Sequence, residues 1–411
     1  MAKKSENRLL VGLDIGTSKI AVLVGEYKVD GEIDIIGVGS YPSRGLKKGI
    51  VANIDSTVQS IRKAVEDVEL MSGCEIIGVN AGIAGAHISG INSHGVVAAR
   101  DKEIQVDDVE RVMEAARAMN IPADQQILHV IPQDFIIDGQ EGITEPVGMS
   151  GVRLEAKVHI VTCALSAKQN LEKCIQRSGL EAEHIVLEQF ASAEAVLTDD
   201  EKELGVCVID IGAGTTDIAV FVDGAIRHTA AIPIAGDQVT SDIAISLRTP
   251  MAAAEELKRK HACANVALVS ENETIETPDV AGRKSNSLQR ARLAEVVEPR
   301  MVELFELAAT ELRHSGYMEL LSSGIVLTGG TANMPGTLEL AEEMFHLPVR
   351  LGLPMGVGGM SEVIRSPQYA TGVGLVLSGL KPPGQSMYDA EIASRRGSFF
   401  GRVKSWFGNN L

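Results

Sequence analysis

Two short segments carry the residue types best suited to holding a phosphate chain. Val11-Gly-Leu-Asp14-Ile-Gly16-Thr17-Ser18-Lys19-Ile-Ala-Val22 and Val208-Ile-Asp210-Ile-Gly212-Ala-Gly214-Thr215-Thr216-Asp217-Ile-Ala-Val220 repeat one Asp-Ile-Gly turn about half a chain apart. In each, an apolar run predicts a buried strand, small and hydroxyl residues turn the chain, and a second apolar run returns beside the first. Glycine in such a turn lets main-chain N–H groups approach an anion with no Cβ in the way. The carboxylates of Asp14 and Asp210 suit a hydrated Mg²⁺, a hard cation that takes oxygen ligands and keeps several waters beside a nucleotide. A single such carboxylate would ordinarily be a solvated turn residue; two in matched settings point to a shared site. Lys19 fits either a phosphate contact or a surface position on its hairpin.

A site of this kind needs two lobes to present the turns to each other. With 411 residues, 45% of them hydrophobic, the chain is long enough for two to four lobes with sizeable cores. Its formal net charge of −17 argues against a general nucleic-acid binder, whose affinity rests on neutralising phosphates. Five scattered cysteines, Cys74, Cys163, Cys174, Cys207 and Cys263, have no metal-ligand spacing and suit reduced, buried thiols in the cytoplasm. The nine histidines offer no pair at metal-ligand spacing. The polar start of the chain runs straight into a strand, so neither a signal peptide nor a membrane-spanning run is expected.

Strands over 8–24 and 33–39 and a helix over 56–71 open the first α/β lobe. From Ala84 to Thr162 the texture changes to short β patches around one helical stretch, Val106 to Ala118, which predicts an inserted α+β module. A helix over 167–177, a strand over 182–187 and a small-residue helix over 190–197 then lead into the second Asp-Ile-Gly turn. After it come strands through Pro233, helices beginning at Gly236 and Ala252, a long helix from about Leu288 to Ser315, and the turn Thr328-Gly329-Gly330-Thr331. A helix from Gly336 to Phe345 and another small-residue helix, Tyr369 to Leu377, follow. Residues 379–397 are expected to be a flexible linker. At the end, Phe399, Phe400, Val403, Trp406 and Phe407 fall on one helical stripe with Arg402 and Lys404 elsewhere. That pattern suits an in-plane anchor on an anionic membrane, with docking on the protein's own core as the other outcome.

Taken in order, these features resemble the FtsA family of bacterial cell-division proteins, within the actin, Hsp70 and sugar-kinase superfamily. The resemblance covers nearly the whole chain: both phosphate turns, the adenosine turn Leu327-Thr-Gly-Gly-Thr-Ala332, the two small-residue helices, the inserted module and the aromatic tail. His129-Val-Ile-Pro-Gln133, Pro146-Val-Gly-Met-Ser-Gly-Val-Arg153, Ser287-Leu-Gln-Arg290 and Glu298-Pro-Arg300 add to it. It implies an actin-like, two-lobed ATPase fold with duplicated βββαβα-type lobes. The first lobe would comprise residues 1–83 and 163–190, the inserted subdomain 84–162, the second lobe 191–235 and 300–378, and a fourth subdomain 236–299.

The resemblance also implies ATP and Mg²⁺ in the interlobe cleft. Nucleotide contacts would come from Gly16, Thr17, Ser18 and Lys19 on one side and from Gly212, Gly214, Thr215, Thr216 and Gly236 on the other. Glu255 and Lys258, three apart on one helical face, would sit near the nucleoside, and Gly329, Gly330 and Thr331 would border it. Glu255-Glu256-Leu-Lys258-Arg259-Lys260 would otherwise read as a solvated charged face. Glu188 stands where actin-like relatives carry a water-orienting residue, although a carboxylate at a strand end is as often structural. Partners implied are the C-terminal peptide of the tubulin-like FtsZ, further copies of the chain in a filament, downstream division proteins at the inserted module, and the cytoplasmic face of the inner membrane. Arg290, Arg292 and Arg300, with Arg283 and Lys284, form a basic cluster suited to an acidic peptide. A soluble enzyme of the superfamily, a small-molecule kinase or a chaperone ATPase, is the alternative. No motif selects a kinase base, and the chain after Leu377 is short for a chaperone's substrate domain.

Overall fold

In the computed structural model, the described residues are 8–270, 272–277 and 286–380. The first lobe opens with a meander of β1 (Arg8–Ile15), β2 (Lys19–Tyr27) and β3 (Ile33–Pro42). A small hairpin, β4 (Leu46–Lys47) and β5 (Ile50–Val51), then leads to helix α1 (Ile54–Ser72) and strand β6 (Gly78–Ile83). The helix starts where the Asn53 side chain accepts the Ser56 N–H and stops at Gly73 in the left-handed region. Its buried face, Val58, Ile61, Ala64, Val65 and Val68, follows the helical period and packs on the sheet.

The chain leaves the lobe at Ile83 for the inserted module: β7 (Ser89–Ala98), α2 (Val106–Arg117), β8 (Gln125–Ile137), β9 (Gln140–Ile143) and β10 (Arg153–Ala164). These strands form their own antiparallel sheet in the order β7-β10-β8-β9, with a core built on Val109, Val112, Leu154, Val158 and Ile160. The chain returns through α3 (Leu165–Arg177), β11 (Glu181–Leu187), α4 (Glu188–Val196) and α5 (Asp199–Leu204).

The second lobe repeats the first. It begins with β12 (Val206–Ile211), β13 (Thr216–Val222) and β14 (Ala225–Ile232), followed by α6 (Gly236–Leu247), α7 (Met251–His261), β15 (Thr274–Thr277) and β16 (Asn286–Gln289). Then come α8 (Arg290–Ser315), β17 (Ile325–Thr328), α9 (Thr337–Phe345), β18 (Val349–Leu351), β19 (Gly358–Gly359), α10 (Ser361–Ile364) and α11 (Ala370–Ser378). The first sheet runs β11-β6-β1-β2-β3-β19 and the second β18-β17-β12-β13-β14, so each holds an antiparallel meander joined to two parallel strands.

Both sheets are covered on both faces, which explains why their strands read as unbroken apolar runs. One face of the first sheet meets α1 and α3, and the outer face of the second meets α6, α7, α8 and α9. Between the sheets lies a shared core in which Leu10, Ala21 and Leu23 meet Ala193, Val196, Val208, Ala219, Val326, Val373 and Val376. The small residues of α11 serve this middle layer. A methyl group on Gly374 would overlap the Ala191 carbonyl of α4, so the two helices touch backbone to backbone.

Three details differ from the sequence expectations. The last stretch, assigned to the second lobe through residue 378, is shared: β19 pairs in parallel with β3, and α11 packs on β1, β2 and β6 as well as on α4. The long helix begins at Arg290, because Leu288 pairs with Ile275 in the β15–β16 hairpin. That helix crosses the boundary drawn at residue 300, and α6, α7, α8 and Ile275 of the proposed fourth subdomain share one hydrophobic core with β12, β13 and β17. The aromatic tail residues Phe399, Phe400, Val403, Trp406 and Phe407 lie outside the described residues, as do Arg283, Lys284 and most of the linker. Among the described residues no helix is long and apolar enough to cross a membrane.

Candidate nucleotide site

The strand β1 ends at Asp14-Ile15 and β2 starts at Lys19, so Gly16, Thr17 and Ser18 form the first turn; β12 and β13 enclose Gly212 to Thr215 in the same way. The two turns touch each other. A methyl group on Gly214 would overlap the Thr17 hydroxyl and lie against the Lys48 backbone. Thr17 Oγ1 in turn accepts the Gly49 N–H at 3.0 Å. The β4–β5 hairpin tip therefore belongs to the site, with Lys48 at a positive φ of 50°. Sequence reasoning missed this tip; the Lys-Lys-Gly turn directly after the meander was its signal.

Four carboxylates gather behind the turns. Asp210 accepts hydrogen bonds from Ser192 Oγ at 2.6 Å and Thr371 Oγ1 at 3.2 Å. Asp217 accepts from Gln189 Nε2 and Thr215 Oγ1, both at 2.9 Å. Burial, reinforced by Asp210, pushes Asp217 up to about 7. Asp14 rises to about 6 through burial, with Lys19 opposing and Asp210 adding to the shift. Glu188, the first residue of α4, is held well above the ordinary carboxylate range by burial and then by Asp14, Asp217 and Asp210. A site that crowds acidic groups so that they resist ionisation is one that a cation would relieve.

Lys19 supplies part of that compensation. Its ammonium donates to the Gln368 carbonyl at 2.8 Å and lies 3.9 Å from the centre of the Tyr369 ring. Burial lowers its pKa to about 8 against the pull of Asp14 and Asp210. A lysine that merely decorated a hairpin would reach solvent instead. Ser192, Gln189, Gln368, Tyr369 and Thr371 are the residues that sequence reasoning missed. All flank or belong to the two small-residue helices, which were seen only as packing elements.

The second lobe continues the wall. Thr331 Oγ1 donates to the Gly212 carbonyl at 2.8 Å, and the Gly236 N–H donates to the same carbonyl at 3.1 Å. Gly329, at φ 88°, leaves no room for a side chain beside Asp210, whereas a methyl on Gly330 would meet open space with only Gln368 Cβ at 3.9 Å. Lys258 donates to Gly236 O at 3.0 Å and to Thr240 Oγ1 at 2.9 Å, and it pairs with Glu255 at 2.6 Å. Both residues thus stand over the start of α6, where Gly236 also meets the Gly212 carbonyl and the Thr331 hydroxyl. Their neighbours Glu256 and Lys260 form an exposed pair of their own.

Arg290, Arg292 and Arg300, the described members of the basic cluster, are placed elsewhere and are each paired. Arg300 bonds Asp242 at 2.6 and 3.2 Å and also Glu303, and Arg290 reaches the His261 carbonyl and Glu273. Arg292 is exposed beside Glu295 at 3.0 Å.

Comparison with known proteins completes the picture. The family model described as "Cell division protein FtsA" matches residues 207–374, and the one described as "SHS2 domain inserted in FTSA" matches residues 85–162, the span of the inserted sheet. "Cell division protein FtsA" of Pseudomonas aeruginosa is 56% identical over 417 residues, covering 100% of both chains. Among solved structures, a chain of a PilM-PilN type IV pilus biogenesis complex superimposes with a TM-score of 0.66 at 19% identity, covering 91% of this chain and 99% of its own. MreB 5 of Spiroplasma citri, bound to AMPPNP, gives 0.52 at 16% identity, covering 96% and 99%. Such low identities speak to fold, which they agree is actin-like; identity over the full length speaks to family, and this chain belongs to the FtsA family of cell-division proteins.

Proposed function

We propose that the chain binds ATP with Mg²⁺ between its lobes and, so loaded, assembles head to tail on the cytoplasmic face of the inner membrane. There it would tether the FtsZ ring and help to recruit later division proteins. The observation that carries the nucleotide part is the contact of both Asp-Ile-Gly turns in front of buried carboxylates that lack full compensation. Gly16, Thr17, Ser18 and Lys19 would hold the phosphates from one side and Gly212, Gly214, Thr215 and Thr216 from the other, with Gly236, Glu255, Lys258, Gly329, Gly330 and Thr331 around the nucleoside. Asp14 and Asp210 would hold Mg²⁺ through its waters; the ion would neutralise phosphate charge.

Turnover would be slow. Glu188 is the candidate for orienting water, but burial and three acidic neighbours push its carboxyl well above the ordinary carboxylate range, which weakens it as a base until a cation offsets them. The membrane part rests on the aromatic stripe from Phe399 to Phe407 with its basic flanks, and the family supplies the partners. For the FtsZ peptide, Arg292 offers the most accessible guanidinium of the three arginines: all three pair with acidic neighbours, but the Arg292 side chain is 66% exposed against 21% for Arg290 and 25% for Arg300. Heterologous contacts between identical subunits are what permit an open filament.

The test is direct. Purified full-length protein should bind a fluorescent ATP analogue in an Mg²⁺-dependent way and pellet with anionic liposomes. A chain ending at Gly397 should keep the first property and lose the second. Equal pelleting by both chains would remove the anchor, and absence of Mg²⁺-dependent binding would remove the nucleotide site.

A further inference from the structure

The inserted module touches both lobes, and at each contact a buried histidine bonds across, joined at the second lobe by Asn92 and Gln133. In β8, His129 Nε2 accepts the main-chain N–H of Leu187 at 3.1 Å. Leu187 is the last residue of β11 and the residue before α4. In β10, His159 Nε2 lies 2.9 Å from Thr229 Oγ1 on β14, and its Nδ1 lies 2.7 Å from Asn92 Oδ1. That Asn92 oxygen also accepts from Gln133, while the Asn92 amide donates to Arg227 O. Asn92 Oδ1 therefore receives the His159 Nδ1 proton, which leaves Nε2 to accept from the Thr229 hydroxyl. Both rings must be neutral at Nε2 for these bonds to exist. Burial keeps them so, with Lys168 and His184 acting on His129 and His228 on His159.

The contacts close into a ring. One residue after Glu188, Gln189 donates to Asp217 Oδ1 and to the Ala230 carbonyl, the neighbour of Thr229. One helical turn further, Ser192 donates to Asp210. Helix α4 thus grips both carboxylates of the second turn, and the module holds the start of α4 on one side and the β14 strand on the other. A shift of the module cannot occur without breaking buried hydrogen bonds or moving α4 with it.

We propose that the inserted module is a lever on the cleft. Through His129 at Leu187 and His159 at Thr229 it sets the position of α4, and hence of Asp210 and Asp217, so that cleft occupancy and module posture are reciprocally coupled. His129 and His159 are positioning residues, and the proposal rests on the nucleotide-binding function above. A protein docking on the module would alter nucleotide affinity, and nucleotide would alter the module's affinity for that protein.

Hydrogen–deuterium exchange of the full chain, with and without Mg²⁺ and AMPPNP, tests this. Exchange should slow in residues 14–19 and 210–217 and also in β7, β8 and the Leu187–Phe190 amides. In Thr229→Val and in His129→Leu the turns should still be protected while the response of β7 and β8 is lost, and AMPPNP affinity should fall about 5-fold or more. Thr229→Ser should restore both. Protection of the turns without any response of the module in the unaltered protein overturns the lever but leaves nucleotide binding standing. A full module response in both variants also overturns it. Absence of protection at the turns removes the nucleotide site and the lever with it.

Discussion

The two phosphate turns are built on the same meander but solve the problem of a buried aspartate differently. Asp14 faces Ala21 across its hairpin, whereas Asp210 faces Asp217. The first turn carries its own cation in Lys19; the second borrows hydroxyl and amide donors from helices α4 and α11. Duplication has therefore preserved the scaffold while dividing the labour. One side compensates charge and the other fixes carboxylate geometry.

The harshest way to break this comparison is to give the first turn the acid it lacks. Ala21 is fully buried in the core between the sheets, so Ala21→Asp should cost about 3–5 kcal/mol in urea-induced unfolding, an uncompensated buried charge. A loss under 1 kcal/mol would mean that the first turn tolerates a second carboxylate. Next, Asp210→Asn should weaken Mg²⁺-dependent ATP binding about 100-fold in calorimetric titration, and Asp14→Asn only about 10-fold, because Asp210 is held in place by two hydroxyls. Equal losses would show that the two aspartates share one role.

The third comparison uses pH. The folded pKa of Asp217, about 7, lies above its unfolded value, so its contribution to nucleotide-free stability is full below about pH 4 and is lost as pH rises through 7. Asp217→Asn should accordingly raise the stability of the nucleotide-free protein at pH 8 by up to about 4 kcal/mol and leave it unchanged near pH 4. Thermal melts at the two pH values, without Mg²⁺, would show it. The mildest change is Lys19→Met, which should lower ATP affinity about 10-fold while making nucleotide-free protein more stable near pH 7, the same sign as Asp217→Asn, because burial of the ammonium outweighs its attraction to Asp14 and Asp210. A melt shifted downward would mean that the pairing of Lys19 with the carboxylates outweighs its burial.

Much of this was legible in the sequence because the relevant signals are local. The turn residues, the alternation of elements and the change of texture at Ala84 each depend on a few neighbouring positions. What escaped depended on contacts far along the chain. Nothing near Thr371 or Gln368 suggests that one bonds Asp210 and the other Lys19; only the return of the chain to the first lobe brings them there. The imidazoles of His129 and His159 likewise read as ordinary strand residues until their partners, 58 and 70 positions away, are known. The arginine cluster failed in the other direction. Sequence shows basic residues in proximity, while Asp242, which pairs with Arg300, lies on a different helix.

The return of residues 358–378 to the first sheet also governs how the protein is made. Gly12 lies so close to Gly372 that a methyl group on it would stand 2.6 Å from the Gly372 carbonyl, a contact spanning nearly the whole sequence. During synthesis the strands of the first lobe emerge early, yet β3 lacks its edge partner and Leu23 its cover until α11 has left the ribosome. The nascent first lobe must therefore wait, with apolar surface uncovered, through the translation of the module and the second lobe. A chain cut before Ser361 would leave that surface permanently bare, making it a substrate for chaperones and proteases.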